Sequence, residues 1–193
     1  METIILASGS PRRKELLLKV KMPVRAIPPE LMEDYSGPAS AGELVSRVAK
    51  SKVDAVVELF KAESPRWVLG VDTVVEVDGK VLGKPSSPEH AHAMLSSLSG
   101  KVHRVYSGIV LLVDKTKSPE VEVVCTEVKF KTLTPGELSW YLDSGEWLGA
   151  AGAYRIQERG AFFVDWIKGS YSNVVGLPLE VFYGILVRNE YHF

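Results

Sequence analysis

The segment Ile4-Ile5-Leu6-Ala7-Ser8-Gly9-Ser10-Pro11-Arg12-Arg13-Lys14-Glu15-Leu16-Leu17 decides how this chain is read. The apolar run Ile4 to Ala7 predicts a short buried strand. The small residues Ser8 to Ser10 turn the chain, and Pro11 stands at the first helical position with Ser10 as N-cap. A helix that starts directly after a strand and a small turn aims backbone N–H groups and the positive end of its dipole at one point, which suits an anion. Arg12 and Arg13 add positive charge in the first turn, against the dipole, at a few tenths of a kcal/mol each. A phosphate in front of the turn accounts for the arginine pair. The bland alternative is an ordinary strand–turn–helix entry with a basic first turn. Neither G-x-x-x-x-G-K-[ST] nor G-x-G-x-x-G is present.

Outward from this segment, Pro28 to Pro38 holds three prolines and Gly37 and predicts a long connection of the kind that often carries function. Ser40 and Glu43 form a capping box. The helix it opens carries Leu44, Val45, Val48, Ala49, Val53, Val56, Leu59 and Phe60 at close to a 3.6 period. Trp67 to Val77 predicts a strand, Asp78-Gly79 a type I′ hairpin turn, and Lys80 to Leu82 the returning strand. Ser87-Pro88 starts a helix with Ala91, Met94, Leu95 and Leu98 on one face, ended by Gly100. Val102 to Val113 and Val121 to Thr132 predict two long strands around a polar turn, Asp114 to Pro119. The first is apolar on both faces from Ile109 to Val113, as a central strand would be. Thr134 and Glu137 form a second capping box for a helix to about Asp143. Ala161 to Ile167 predicts a strand, and Pro178 a C-terminal helix. Helices and strands intermix while hairpins exclude an all-parallel sheet, so the class is α/β with a mixed sheet.

With 193 residues, 46% of them hydrophobic, the chain has material for one sizeable domain or two small lobes. Its net charge of -1, from 23 basic and 24 acidic residues, argues against stable nucleic-acid binding, so phosphate recognition has to be local. Cys125 is the sole cysteine, which excludes an intrachain disulfide and a cysteine-based metal site. Its setting, Val123-Val124-Cys125-Thr126, reads as a buried strand residue and not a nucleophile. The first apolar stretch is too short for a signal peptide, and no run approaches the roughly 20 residues of a membrane helix. The expectation is a cytoplasmic protein without membrane association.

Four further clusters carry chemistry. In Gly70-Val71-Asp72-Thr73 a carboxylate lies inside an apolar strand, where it would cost several kcal/mol unpaired. A cation, a metal or hydrogen bonds must compensate it; a purely structural ion pair is the alternative. An uninterrupted strand puts Asp72 and Thr73 on opposite faces, so a shared site would need a bend or bulge, with Gly70 the residue that could allow it. In Leu82-Gly83-Lys84-Pro85, Pro85 keeps Lys84 extended and presents it as a point charge for phosphate, or as a plain surface lysine. In Gly152-Ala153-Tyr154-Arg155-Ile156-Gln157, the Gln157 amide complements the imide edge of uracil or thymine; a solvated glutamine is the alternative. Lys168 to Pro178 is small and polar and runs into a helix, either as a second anion site or as a plain loop. His90 and His92, two apart, cannot share a helix face, and no zinc site is expected.

In this order, Ser8-Gly9-Ser10-Pro11-Arg12-Arg13, Gly70-Val71-Asp72-Thr73, Leu82-Gly83-Lys84-Pro85, Leu98-Ser99-Gly100, Gly152-Ala153-Tyr154, Ile156-Gln157 and Val175-Gly176-Leu177-Pro178 resemble the Maf family of nucleotide pyrophosphatases over nearly the whole chain. The resemblance implies one Maf/ITPase-like α/β domain over 1–193: an elongated, twisted mixed sheet flanked by helices, with two lobes and a deep central cleft. It implies hydrolysis of nucleoside triphosphates to monophosphate and pyrophosphate with Mg²⁺ or Mn²⁺, in clearing unwanted nucleotides, with a link to cell-division arrest and a homodimeric assembly. The dTTP/UTP branch resembles this chain at Arg12, Thr73 and Gln157, the positions that set its substrate. By the same resemblance Asp72 is the catalytic base, Glu33 and Asp72 hold the metal, and Ser8, Ser10, Arg13, Lys52 and Lys84 bind phosphate. The chain departs from the family at Ala150, where a lysine is usual, and at Arg155, which replaces a glycine. Arg155 either restores the missing charge from nearby or alters the cleft. Two other readings stand beside a dTTP/UTP pyrophosphatase: a nucleotide-binding regulator with weak catalysis, favoured by Ala150, and a pyrophosphatase for purines such as ITP or XTP.

Overall fold

The computed structural model describes all residues except 36–38, 61–64 and 115–117. Part of the Pro28–Pro38 connection and part of the Asp114–Pro119 turn lie outside the described residues. The chain begins with β1 (Ile4–Ala7), α1 (Pro11–Lys19) and β2 (Val24–Ala26), followed by α2 (Ala41–Glu58), β3 (Trp67–Val77) and β4 (Lys80–Leu82). It continues with α3 (Pro88–Leu98), β5 (Val102–Val113), β6 (Glu120–Phe130), α4 (Pro135–Asp143), β7 (Val164–Lys168), α5 (Tyr171–Val175) and α6 (Leu179–Arg188). The sheet order is β2-β1-β3-β5-β6-β7, with β4 on β3. Pairing of β1 with β2 and β3 is parallel; β3–β4 and β6–β7 are antiparallel, so the sheet is mixed. Both capping boxes form, and Asp78 and Gly79 take the positive φ of 50° and 73° that a type I′ turn requires.

The chain divides into two compact units. The first comprises Met1–Asp72, Ser107–Val124 and Gly176–Phe193. Here strand alternation sorts two cores. Ile4, Leu6, Leu69, Val71, Ile109 and Leu111 pack with Leu17, Phe182, Ile185 and Leu186 of α1 and α6. Ile5, Ala7, Val68, Val110 and Leu112 pack with Ala49, Val53 and Val56 of α2. Gly70 and Gly108 share the α2-facing register. A Cβ on Gly70 would lie 2.4 Å from the Ala49 carbonyl oxygen, and one on Gly108 2.6 Å from the Val45 carbonyl. The two glycines therefore let α2 lie directly on the strands. This corrects the expectation for Gly70: β3 is unbroken, and the glycine provides close packing instead of a bend.

The second unit comprises Thr73–Tyr106 and Cys125–Val175. Ala91, Met94, Leu95 and Leu98 of α3 are buried as predicted. A chain of edge-on rings joins His103, Phe130, Tyr154, Phe163 and Tyr141.

Four further expectations need correction. Cys125 is exposed: on β6 the buried register belongs to Thr126, Val128 and Phe130. Partial desolvation still holds its thiol above the ordinary value, against the hydrogen bond from Tyr106 and the charge of Arg104, which favour the thiolate. α2 ends at Glu58, where i→i−3 bonds tighten the last turn, and Leu59 points to solvent, 65% exposed. Residues Arg159–Phe163 form a 3₁₀ turn because Gly160 lies against the Arg155 carbonyl, and the strand begins only at Val164. The presumed loop before Pro178 contains α5. No helix among the described residues is long and apolar enough to cross a membrane.

Two expected outcomes follow from this packing. Gly108→Ala forces a methyl onto α2 backbone and lowers unfolding free energy by about 1–3 kcal/mol, read by urea denaturation. His103 is buried and its pKa is pushed down to about 4, against an ordinary 6.5. The imidazole is neutral when folded, and between these values the unfolded chain binds more protons. The stabilisation is complete above about pH 6.5 and is lost as pH falls towards 4, by about 3 kcal/mol in total. Accordingly, the stability gap between the native chain and His103→Gln should narrow across that window; a gap independent of pH contradicts the assignment.

Candidate active site

In the first unit the buried Ser8 hydroxyl oxygen organises the turn after β1. It accepts from Ser10 N at 3.2 Å and from Arg13 Nη1 at 3.0 Å. Ser10 occupies the N-cap position of α1 without a side-chain cap bond. Arg13 is buried, and its Nε donates to the Gly176 carbonyl at 2.9 Å, joining the first turn of α1 to the entry of α6. Burial lowers the Arg13 pKa, and the charges of Asp72 and Glu33 counter that shift. Arg12, one position earlier, is half-exposed.

The centre of this unit is Lys52. Because Gly70 admits α2 to the sheet, the ammonium group one turn beyond Ala49 reaches the residue two further along β3. Lys52 Nζ lies 2.6 Å from Asp72 Oδ1 and 2.6 Å from Glu33 Oε1. Lys52 and Asp72 are only 4% and 2% exposed, so the pair is desolvated and needs every partner it has. Tyr35 supplies more: its hydroxyl lies 3.1 Å from Glu33 Oε2 and 3.2 and 3.1 Å from the two oxygens of Asp72. Burial, and then the two carboxylates, hold the phenol well above its ordinary pKa. Among the described residues no three His, Cys, Asp or Glu side chains come together as metal ligands. The oxygen pair of Glu33 and Asp72 does converge on one cation, the Lys52 ammonium.

In the second unit Thr73 continues β3 and is half-buried, while Lys84 is exposed just beyond β4. The Gly83 carbonyl beside Lys84 accepts from Gly152 N at 3.0 Å, which ties the Lys84 segment to the one leading to Gln157. Gln157 is half-buried, and Ala150 is packed into the core. Arg155 donates from Nη2 to the Leu148 carbonyl at 2.9 Å and from Nη1 to Glu158 at 3.3 Å. Its guanidinium clasps its own segment, and Glu158 offsets its charge.

The sequence model of the Maf-like protein family matches residues 3–189. The chain belongs to the Maf family. A protein of Syntrophus aciditrophicus named dTTP/UTP pyrophosphatase is 42% identical over 93% of this chain and 86% of its own length. One from Myxococcus xanthus with the same name is 42% identical over 96% and 91%. One from Salmonella typhimurium, again so named, is 44% identical over 96% and 92%.

Of the residues singled out from the Maf resemblance, Ser8 and Arg13 are bonded to each other on the turn that carries Ser10 and Arg12, and Glu33, Lys52 and Asp72 form an ion-paired cluster in the same unit whose carboxylates act on the Arg13 charge. Thr73, Lys84 and Gln157 belong to the second unit. Sequence reasoning missed Tyr35 and His103. Tyr35 was signalled only as an aromatic side chain two residues from Glu33 in a polar connection. His103 was signalled as the inward register of Val102-His103-Arg104-Val105. The Lys52–Asp72 pair predicts strong coupling. Lys52→Met alone leaves two carboxylates without their cation and destabilises by about 3–5 kcal/mol, whereas Lys52→Met combined with Asp72→Asn costs much less than the sum in a double-mutant cycle. Additive effects would contradict the geometry.

Proposed function

We propose that this chain hydrolyses dTTP and UTP to the nucleoside monophosphate and pyrophosphate. The observation that carries the reading is Asp72: a carboxylate buried in a core strand, oriented by Lys52 and Tyr35 beside a small-residue helix entry. The name shared by relatives 42–44% identical over most of their lengths supports the substrate.

In this reading Asp72 is the base. It takes a proton from water as the water oxygen attacks the α-phosphorus; the bond from that phosphorus to the α,β-bridging oxygen breaks, and pyrophosphate leaves with that electron pair. Lys52 pairs with the carboxylate and aims it. The Tyr35 hydroxyl lies within hydrogen-bond distance of both Asp72 oxygens, the atoms that the attacking water would meet. Ser8, Ser10, Arg12, Arg13 and Lys84 serve the triphosphate: Arg12 and Lys84 through their charges, Arg13 by bracing the turn through Ser8. Arg12, Thr73 and Gln157 set the substrate, with the Gln157 amide matched to the pyrimidine imide edge.

The donor set of Glu33 and Asp72 fits Mg²⁺ or Mn²⁺, which bind through one or two carboxylates and complete their shell with water and phosphate oxygens. Such an ion, held by these two residues, would neutralise charge on the phosphates. A lone carboxylate offers the ion less, so Glu33→Gln should raise the metal concentration needed for half-maximal activity.

The test is pyrophosphate release from UTP, dTTP, CTP, ITP, 7-methyl-GTP and the common purine triphosphates with Mg²⁺ or Mn²⁺. UTP and dTTP should lead, and Asp72→Asn should lower kcat by about a hundred- to ten-thousand-fold with the fold intact. Preference for ITP would transfer the reading to a purine pyrophosphatase. Nucleotide bound but never cleaved would make the chain a nucleotide-binding regulator.

A further inference from the structure

We propose that His103 is a positioning residue for base recognition, acting through Tyr154 on the segment that carries Gln157. The inference rests on the reading of Gln157 as the side chain that meets the base. His103 and Tyr154 are 1% and 6% exposed, and Nε2 lies 2.9 Å from the phenol oxygen. Both rings pack edge-on with Phe130, at centroid distances of 4.8 Å.

A histidine at this place is expensive in packing terms. β5 alternates Val102 and Arg104 outward with His103 and Val105 inward, the register of an apolar side chain. The second ring nitrogen, Nδ1, is buried with no hydrogen-bond partner among the described residues. Phenylalanine or leucine would fill the space without burying an unsatisfied polar atom. What neither could supply is the bond to Tyr154.

Tyr154 needs that bond because its segment is held against backbone preference. Gly152 has φ +65° and Ala153 has φ +63°, a left-handed conformation that a residue with a Cβ adopts only under constraint. The constraints are visible. Gly152 N donates to Gly83 O at 3.0 Å, next to Lys84, and Arg155 N donates to the Tyr141 hydroxyl oxygen at 3.0 Å. Between these two ties stands Tyr154, fixed at its far end by His103. The arrangement therefore sets where Gln157, three residues on, stands relative to Lys84. Precision of this kind governs recognition, because a hydrogen-bonding side chain displaced by about 1 Å loses much of its discrimination.

Tyr154→Phe deletes one oxygen from one end of the bond, and His103→Phe removes it from the other while keeping a ring in place. In the full chain each should raise KM for UTP about ten-fold and reduce the preference for UTP over CTP by a similar factor, with kcat for UTP within about three-fold of the native value. Added to Gln157→Ala, either substitution should change the preference no further, because it acts through the same side chain. The proposal is overturned if the preference is native-like in a variant that melts like the native chain. It is equally overturned if its loss multiplies with that of Gln157→Ala, as a general loosening of the core would. If His103→Phe does not fold, the single-oxygen change Tyr154→Phe decides alone. A native chain that prefers UTP, with Gln157→Ala leaving the preference intact, would overturn the base-reading role of Gln157 itself and this proposal with it.

Discussion

A carboxylate in the core of a sheet is tolerable only with a cation beside it, and the first unit is arranged around meeting that demand at Asp72. The ammonium comes from the middle of α2, so the helix has to lie unusually close to the strands. That closeness requires Gly70 and Gly108, where any Cβ would enter the helix backbone. Glu33 then shares the same ammonium, which ties the irregular segment after β2 to α2, and Tyr35 brings one further donor within reach of both carboxylates. Each of these residues is explained by the one before it. A buried ionic network is weak evidence for stability, because well-packed apolar side chains often serve folding as well. What the network achieves is an oriented carboxylate shielded from bulk water.

Much of this was legible in the chain itself because it depends on local rules. Ser40 with Glu43 and Thr134 with Glu137 are capping boxes whether or not anything packs on them, and Asp78-Gly79 turns a hairpin by its own backbone preference. Asp72 stood out for the opposite reason, as a charge that broke an apolar period. What could not be read were properties of distance across the fold. Gly70 in a strand is compatible with a bulge or with a close neighbour, and only the position of Ala49 decides between them. Cys125 between apolar residues looks buried until the register of Thr126, Val128 and Phe130 assigns the inward face to the other set. Arg159–Phe163 has the apolar content of a strand but is bent by the contact of Gly160 with Arg155.

The departures from the family pattern also read differently once placed. Ala150, in the position of a usual lysine, is part of a packed core. Arg155, in the position of a usual glycine, spends its guanidinium on Leu148 and Glu158 within its own segment. Arg155 therefore ties Leu148 and Glu158 together within the stretch that carries Gln157.

The two units consequently solve different physical problems. The first concentrates charge: Lys52 pairs with Glu33 and Asp72, and the charges of these two carboxylates also act on the buried Arg13. The second unit holds Gln157, an uncharged amide, on a segment with two residues in the left-handed region, anchored through rings and backbone bonds. Attraction to a triphosphate falls off slowly with distance and tolerates imprecise placement, so flexible lysine and arginine side chains suffice for it. Discrimination between an imide N–H and an amine is lost over a fraction of a bond length. A residue entrusted with that distinction has to be placed by its backbone, and the backbone has to be pinned by buried partners that cannot drift. In the proposed reading of Gln157, that requirement accounts for the buried bond between His103 and Tyr154 in the core of this unit.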